Sequence, residues 1–432
     1  MTVPDYRSLV SNNPTGFKQP PRLKCREFMT RRYELDSMRG ILLVLMAFTH
    51  LPTGLSRFAN QPLGFVSAAE GFVFLSAFLV GSIYTPLLLE RGLGFVRTRI
   101  WKRTRRLYAY HFGLLLFAFT VVAGIAHFGH SRSLHDFLGP FFHSPVWTSI
   151  SAPLLLYQPP LMDILPMYIV FLGLTPLLLQ FAARRGWWPL LAASVLMWIA
   201  AQLQIGRSLY GLLAAGGYPL PHDAWSSFDW FAWQLVWIGG LWLGSAGTST
   251  SPAASDTTPS GSPHTLRRRT YILIAALSAA ALLLCARHHI GGFVSGLDSD
   301  TPLTSKWHLG PLRVANFAVL AYLTHRLLLP LLHWLRIGWL ELLGRSSLQA
   351  FTAHIPVCVL ADGLFLSAAQ VSLPLQAALL ALTVGVMLAV AWKTDPPRRE
   401  ARAKRDRTSQ RANHHAVTPR VSMSRPVSMM SD

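Results

Sequence analysis

Residues 31–50 read RRYELDSMRGILLVLMAFTH. Charged and polar side chains end at Arg39, and an apolar run then continues to Phe48 before closing on Thr49 and His50. Together with the residues that follow, the segment predicts a helix over about 37–56, near the twenty residues that cross a hydrocarbon core. Its polar residues are placed by the helical period. Asp36 and Arg39 are three apart, so they can pair on one face. Arg39 and His50 are eleven apart, which returns to nearly the same face about 16 Å further along the axis. A cation and an imidazole thus mark opposite ends of one predicted span. The plain alternative is an arginine reaching for the interface and a histidine among headgroups.

Blocks of similar length recur near 64–89, 106–128, 161–182, 187–205, 226–246, 270–287, 311–331, 347–366 and 372–392. Across the 432 residues, 51% are hydrophobic and only 13% charged, about half the charged share of a soluble chain. The fold class expected is an all-α, polytopic membrane bundle of about ten transmembrane helices. The first 36 residues are polar and Pro-bearing and lack the apolar region of a cleavable signal peptide.

The net charge of +20 would suggest nucleic acid if its placement were ignored. Its placement follows alternating loops instead. Basic residues cluster before Asp36, between Arg91 and Arg106, at Arg184–Arg185, at Arg267–Arg269, near Arg326–Arg345 and after Lys393. Only Arg57, Arg132, Arg207, Arg287, Lys306 and Arg313 fall on the other side. That asymmetry predicts both termini in the cytoplasm, with attraction to anionic membrane lipids as a side effect. No nucleic-acid motif accompanies the charge, so no nucleic-acid partner is expected.

The domain reading follows. Residues 1–36 form a cytoplasmic tail, and 37–247 the first six helices of the core. Residues 248–269, opening TSTSPAASDTTPSGSPH, form a Ser/Thr/Pro linker, and 270–394 hold the last four helices. Residues 395–432 form a basic, disordered tail. Longer outer loops are expected near 129–160, 206–225 and 288–310. The three cysteines are too far apart to suggest a disulfide framework or zinc site. The irregular spacing of His127, His130, His135 and His143 suggests no metal centre.

Ionisable groups within apolar spans are functional candidates by default. Glu70 lies at the start of the second span, at a depth similar to His50, within a stripe of small and polar positions (Ser67, Glu70, Gly71, Phe74, Phe78, Gly81). A carboxylate beside an imidazole fixes its tautomer and raises its basicity. Asp163 enters the fourth span from the same side and is a second candidate partner for His50. His354, about ten residues into the ninth span, is either a packing hydrogen bond or part of a pocket. The stretch FVRTRIWKRTRRLYAYH (95–111) is either a basic membrane anchor or a phosphate-recognising cluster. A coenzyme A thioester would suit it, held at the inner mouth by Arg39, Arg97, Arg99, Arg103 and Arg106. Small residues Gly40, Gly71, Ala77 and Gly81 would leave room for its slender arm to thread toward His50.

Several of these runs match a known family. Arg32-Tyr33-Glu34-Leu35-Asp36-Ser37-Met38-Arg39-Gly40 followed by Thr49-His50 resembles the OpgC family. So do Ala69-Glu70-Gly71-Phe72 with Leu75-Ser76, Asp163-Ile164-Leu165-Pro166-Met167-Tyr168, and Leu343-Gly344-Arg345-Ser346-Ser347-Leu348 with His354. The resemblance runs through nearly all spans and omits the tails and linker. It implies a branch of the membrane acyltransferase-three superfamily in the bacterial inner membrane. The implied reaction is succinyl transfer to osmoregulated periplasmic glucans, or another glycan. Succinyl-coenzyme A or another acyl-coenzyme A would be co-substrate, with no tightly bound cofactor.

The resemblance also implies roles for particular residues. His50 takes the catalytic position, and Arg103 and Arg106 are the strongest donor contacts; on the reading of the residues above, Glu70 or Asp163 would orient the His50 ring. Asp36, Gly71, Ser76 and His354 line the expected pocket. One departure is visible: the superfamily's Ser-Gly-Phe reads Ser76-Ala77-Phe78 here, which puts the local packing in doubt. A carrier that exports glycans without making bonds is the alternative, and the lack of an internal repeat weighs against it. Oligomeric state is open, a homo-oligomer included.

Overall fold

Each of the ten apolar blocks is helical. The computed structural model describes residues 32–217, 226–246, 263–287, 301–364 and 372–395. The main helices are α1 Tyr33–His50, α2 Ala68–Phe128, α3 Ile164–Arg185, α4 Trp188–Gln202, α5 Trp230–Ala246, α6 Pro263–Cys285, α7 Pro311–Leu335, α8 Gly338–Arg345, α9 Ser347–Leu364 and α10 Leu373–Thr394. No strand occurs among the described residues.

Four helices (α2, α3, α7 and α10) are by themselves long and apolar enough to cross a membrane. The pair formed by α4 and Ile205–Leu212, bent by 73°, makes a fifth if it is one span. This is fewer than the ten spans expected from the sequence. α1 falls outside because Glu34, Asp36 and Arg39 occupy its 18 residues, and α5 is shorter, at 17 residues. Several long apolar helices are what a multi-pass membrane protein requires.

α2 contains two of the apolar blocks. Gly92 separates them, with φ 76° and ψ 173°, a backbone conformation that L side chains rarely adopt. Beyond the break the basic stretch is itself helical, and a stripe of Val96, Ile100, Leu107, His111 and Leu114 turns inward. Of the expected outer loops, 129–160 carries three short helices, Arg132–Phe137, Gly139–His143 and Pro145–Ser151. The linker expected over 248–269 lies outside the described residues as far as 262, and its last residues already belong to α6. Of the expected tails, residues 1–31 and 396–432 also lie outside them.

Small residues do a different job from the one the sequence suggested. Gly40 of α1 rests on the Leu340 carbonyl of α8, and Gly344 of α8 rests on the Asp36 carbonyl of α1. A methyl at either position would collide with backbone. Gly81 likewise meets the Leu241 backbone of α5, and Gly71 faces the Leu42 side chain. These positions are consumed by close helix packing, as small residues are in membrane bundles.

The same seam settles the Ala77 departure. A Cβ on Gly240 of α5 would lie 2.8 Å from the Ala77 Cβ, so the methyl gained in α2 is received by a glycine in α5. Overpacking a tight contact costs about 1–3 kcal/mol. Gly344→Val, which meets backbone, is expected to reach the upper end of that range, read as a lowered unfolding midpoint in detergent. Val substituted at exposed Gly94, where a Cβ meets nothing within 4 Å, should be neutral or slightly stabilising, because valine is the better helix former.

Candidate active site

α1 delivers His50 from its last turn and α9 delivers His354 from its interior. His50 Nδ1 and His354 Nε2 are 2.9 Å apart, and the two rings stack at 5.1 Å with an 18° tilt. His354 is fully buried and His50 partly so. One of these nitrogens must donate and the other accept, which couples the tautomers of the two rings. The partner of His50 is therefore an imidazole, where the sequence suggested Glu70 or Asp163.

Glu70 is committed elsewhere. Its Oε1 accepts a 2.6 Å hydrogen bond from Arg313 Nη1, and both side chains are fully buried. Its Oε2 accepts the Ser67 backbone N–H at 3.0 Å and the Ser67 hydroxyl, so the carboxylate also caps the start of α2. Arg313 Nε donates to the Thr304 carbonyl at 3.0 Å. Three residues on, Asn316 accepts the Phe65 N–H at 2.7 Å. The start of α7 thus locks the loop before α2 in place. Asp163 is buried beside Ser227.

Between the two carboxylates lies Lys306, half-buried, within electrostatic reach of Glu70, Asp163 and Arg313 and felt by His50. Burial holds its ammonium below the usual lysine range, against the raising pull of Glu70 and Asp163. Two cations and two carboxylates make this cluster neutral in sum. Arg313 and Lys306 entered the sequence reading only as outside cations. The signal that marks Arg313 is its position two residues into an apolar helix, where an ionisable group is expensive without a partner.

The arginines expected from the sequence to hold a donor separate into two sets. Arg39 and Arg103 line one small cavity of about 50 Å³ with Tyr168 and Ser347, and Arg103 Nη2 donates to Tyr168 Oη at 3.1 Å. Arg97, Arg99 and Arg106 are exposed on other faces of α2, with Arg97 over Trp101 and Arg99 over Phe95. Asp36 is buried beside Gly344, and Ser76 is buried with its hydroxyl unpartnered.

Two aromatic rings that line the arginine cavity lead from it to the histidines. Arg39 lies 5.7 Å from the Phe72 centroid, Phe72 stacks on Phe351 at 6.4 Å, and Phe351 meets His354 edge-on at 5.0 Å. The path expected past glycines is bordered here by this aromatic column. Sequence reasoning passed over Phe72 and Phe351 because aromatic residues on an apolar helix look like ordinary core.

Fold and site together define a helical, membrane-type protein with an imidazole pair in its interior, a buried ion-pair cluster beside it and an arginine-lined cavity at the far end of an aromatic column. The chain belongs to the OpgC family: the family model described as OpgC protein matches residues 31–399, a span that contains every residue of the site. Comparison with curated proteins and with solved structures gave no further match.

Proposed function

We propose that this protein is a membrane O-acyltransferase with ten transmembrane helices and both termini in the cytoplasm. It moves a succinyl group from succinyl-coenzyme A to a hydroxyl of a periplasmic glucan. Family membership supports the class of reaction, and the alternation of basic loops supports the orientation. The observation that carries the chemistry is the His50–His354 contact at 2.9 Å. It stands at the opposite end of the column from the arginine cavity.

In this reading His50 donates its Nδ1–H to His354 Nε2, which leaves the His50 Nε2 lone pair as general base. That nitrogen takes the proton of the glucan hydroxyl as the oxygen attacks the thioester carbonyl. The carbon–sulfur bond then breaks, the acyl group stays on the sugar, and the thiolate leaves with the proton returned to it. His354 positions the ring. Arg39 and Arg103 hold anionic groups of the donor near the inner mouth, and Arg97, Arg99 and Arg106 meet its outer phosphates or lipid headgroups. The donor arm reaches His50 once Phe72 and Phe351 turn aside, a rotamer change.

Purified protein given succinyl-coenzyme A should release free thiol only when glucan is present, with the succinyl mass found on the glucan. Transport of glucan without thioester cleavage would instead favour the carrier. A hydrogen bond to a charged group contributes about 1.5–3 kcal/mol. Arg103→Ala is therefore expected to raise the donor KM about 10–100-fold, with kcat little changed.

A further inference from the structure

A second and larger cavity, about 650 Å³, lies between α3, α4 and α5, within the range of sites that hold drug-sized ligands. No step of the proposed reaction uses it. Its two ends differ in chemistry. Along α3 the wall is Val170, Leu174 and Leu178, four residues apart, facing Ile238 of α5. That stripe runs about 12 Å, most of the depth of one leaflet of a ~30 Å hydrocarbon core. Leu174 and Met197, both lining residues, are 48% and 43% exposed, so the slot opens on a side where lipid would stand. The far end is polar, with Gln204, Arg207, Ser226, Asp229 and His308.

The charge at that rim is also sorted. The Asp229 carboxylate lies 3.2 Å from His308 Nδ1 and accepts the Phe231 N–H at 2.9 Å. Arg207 is exposed and, among the described residues, pairs with no carboxylate. An apolar slot that ends at an uncommitted guanidinium matches an acyl chain joined to a phosphate. Sugar hydroxyls could meet the polar end, but along Leu174, Leu178 and Ile238 they would have no partner, so an acyl chain suits that stretch better.

We infer that this cleft binds one anionic membrane phospholipid, its acyl chain in the slot and its phosphate at Arg207. The inference rests on the membrane placement proposed above and not on the acyl-transfer chemistry. The cleft also abuts the buried ion-pair cluster. Lys306 lies 4.9 Å from the Trp307 ring and 5.7 Å from the Phe228 ring, and both rings form the cleft wall. An occupied cleft therefore backs the residues against which Lys306 packs.

The test uses the full chain reconstituted into vesicles of equal parts phosphatidylglycerol and phosphatidylcholine, then extracted in mild detergent for native mass spectrometry. One phosphatidylglycerol per chain should be retained. Leu174→Trp, which fills the slot, should lower that occupancy at least tenfold. Leu177→Trp, on an exposed face of the same helix outside the cleft, should leave it unchanged. Arg207→Gln should bring retained phosphatidylglycerol and phosphatidylcholine toward equal amounts. All variants are compared only where they elute as monodisperse protein, and Leu178→Phe, which fills the slot less severely and should also lower the occupancy, serves if the tryptophan variant does not. Equal retention in wild type and Leu174→Trp would mean surrounding lipid only and would overturn the inference. So would displacement of the lipid by glucan oligosaccharides, which would assign the cleft to the acceptor. Neither result depends on thioester cleavage, so loss of this inference and loss of the acyltransferase reading are separately visible.

Discussion

His50→Ala should lower glucan succinylation about 10²–10⁴-fold, the usual contribution of a positioned general base, while the protein still inserts and elutes normally. His50 is partly buried and, among the described residues, makes its side-chain hydrogen bond with His354, so its removal strips little packing from the bundle. Donor binding should be unchanged, because the arginine cavity lies at the other end of the aromatic column. His354 gives the sharper test. His354→Ala leaves the His50 ring without the partner that fixes its tautomer, and a buried polar group left unpaired costs about 1–3 kcal/mol. A fall in kcat of about 5–100-fold is expected, with KM for both substrates near wild type. His354→Gln keeps a carbonyl acceptor and should recover part of the loss, which a merely space-filling role would not predict. Full activity in His50→Ala would remove the imidazole from the reaction and return the carrier to first place.

The sequence disclosed the helices and much of the site for identifiable reasons. Apolar blocks of bilayer length are a strong signal, and every one of them is helical here. Its weaker point was what passes between blocks. Two spans joined by the basic stretch form one helical run broken only at Gly92, because lysine, arginine and aromatic residues are adequate helix formers. Arg103 could have been separated from its neighbours by period alone. It falls on the inward stripe of Val96, Ile100, Leu107 and His111, whereas Arg97, Arg99 and Arg106 fall off it. His50 and His354 were each visible as isolated imidazoles in apolar runs. Their contact was not, since 304 residues separate them and no local pattern encodes which helices meet. Arg313 and Lys306 were legible as charges but not as interior ones, because Lys306 sits in a loop and Arg313 so near the start of its helix that both counted with the outer cations.

The buried pair Glu70–Arg313 should give the largest stability effect of any single substitution considered. Removing one partner of a buried ion pair leaves an uncompensated charge and typically costs about 3–5 kcal/mol. Arg313→Met is expected in that range, read as the change in unfolding free energy in mild detergent. It abandons a carboxylate that is fully buried and a carbonyl at Thr304 that the guanidinium also serves. Glu70→Gln should cost less than Arg313→Met. The amide oxygen can still accept the Ser67 N–H that caps α2, and the stranded arginine keeps Thr304. Combining the two should recover part of the loss, because replacing both charges removes the desolvation penalty along with the attraction. Lys306→Met sets the scale from the other side. Lys306 is only half-buried and keeps no 2.6 Å contact of the Arg313 kind, so about 1 kcal/mol or less is expected from screened charge. If Arg313→Met costs no more than Lys306→Met, the locking role assigned to this pair at the junction of α2 and α7 is wrong. In that case Lys306 is the cation that neutralises Glu70, and the loop carrying it, not α7, positions the start of α2.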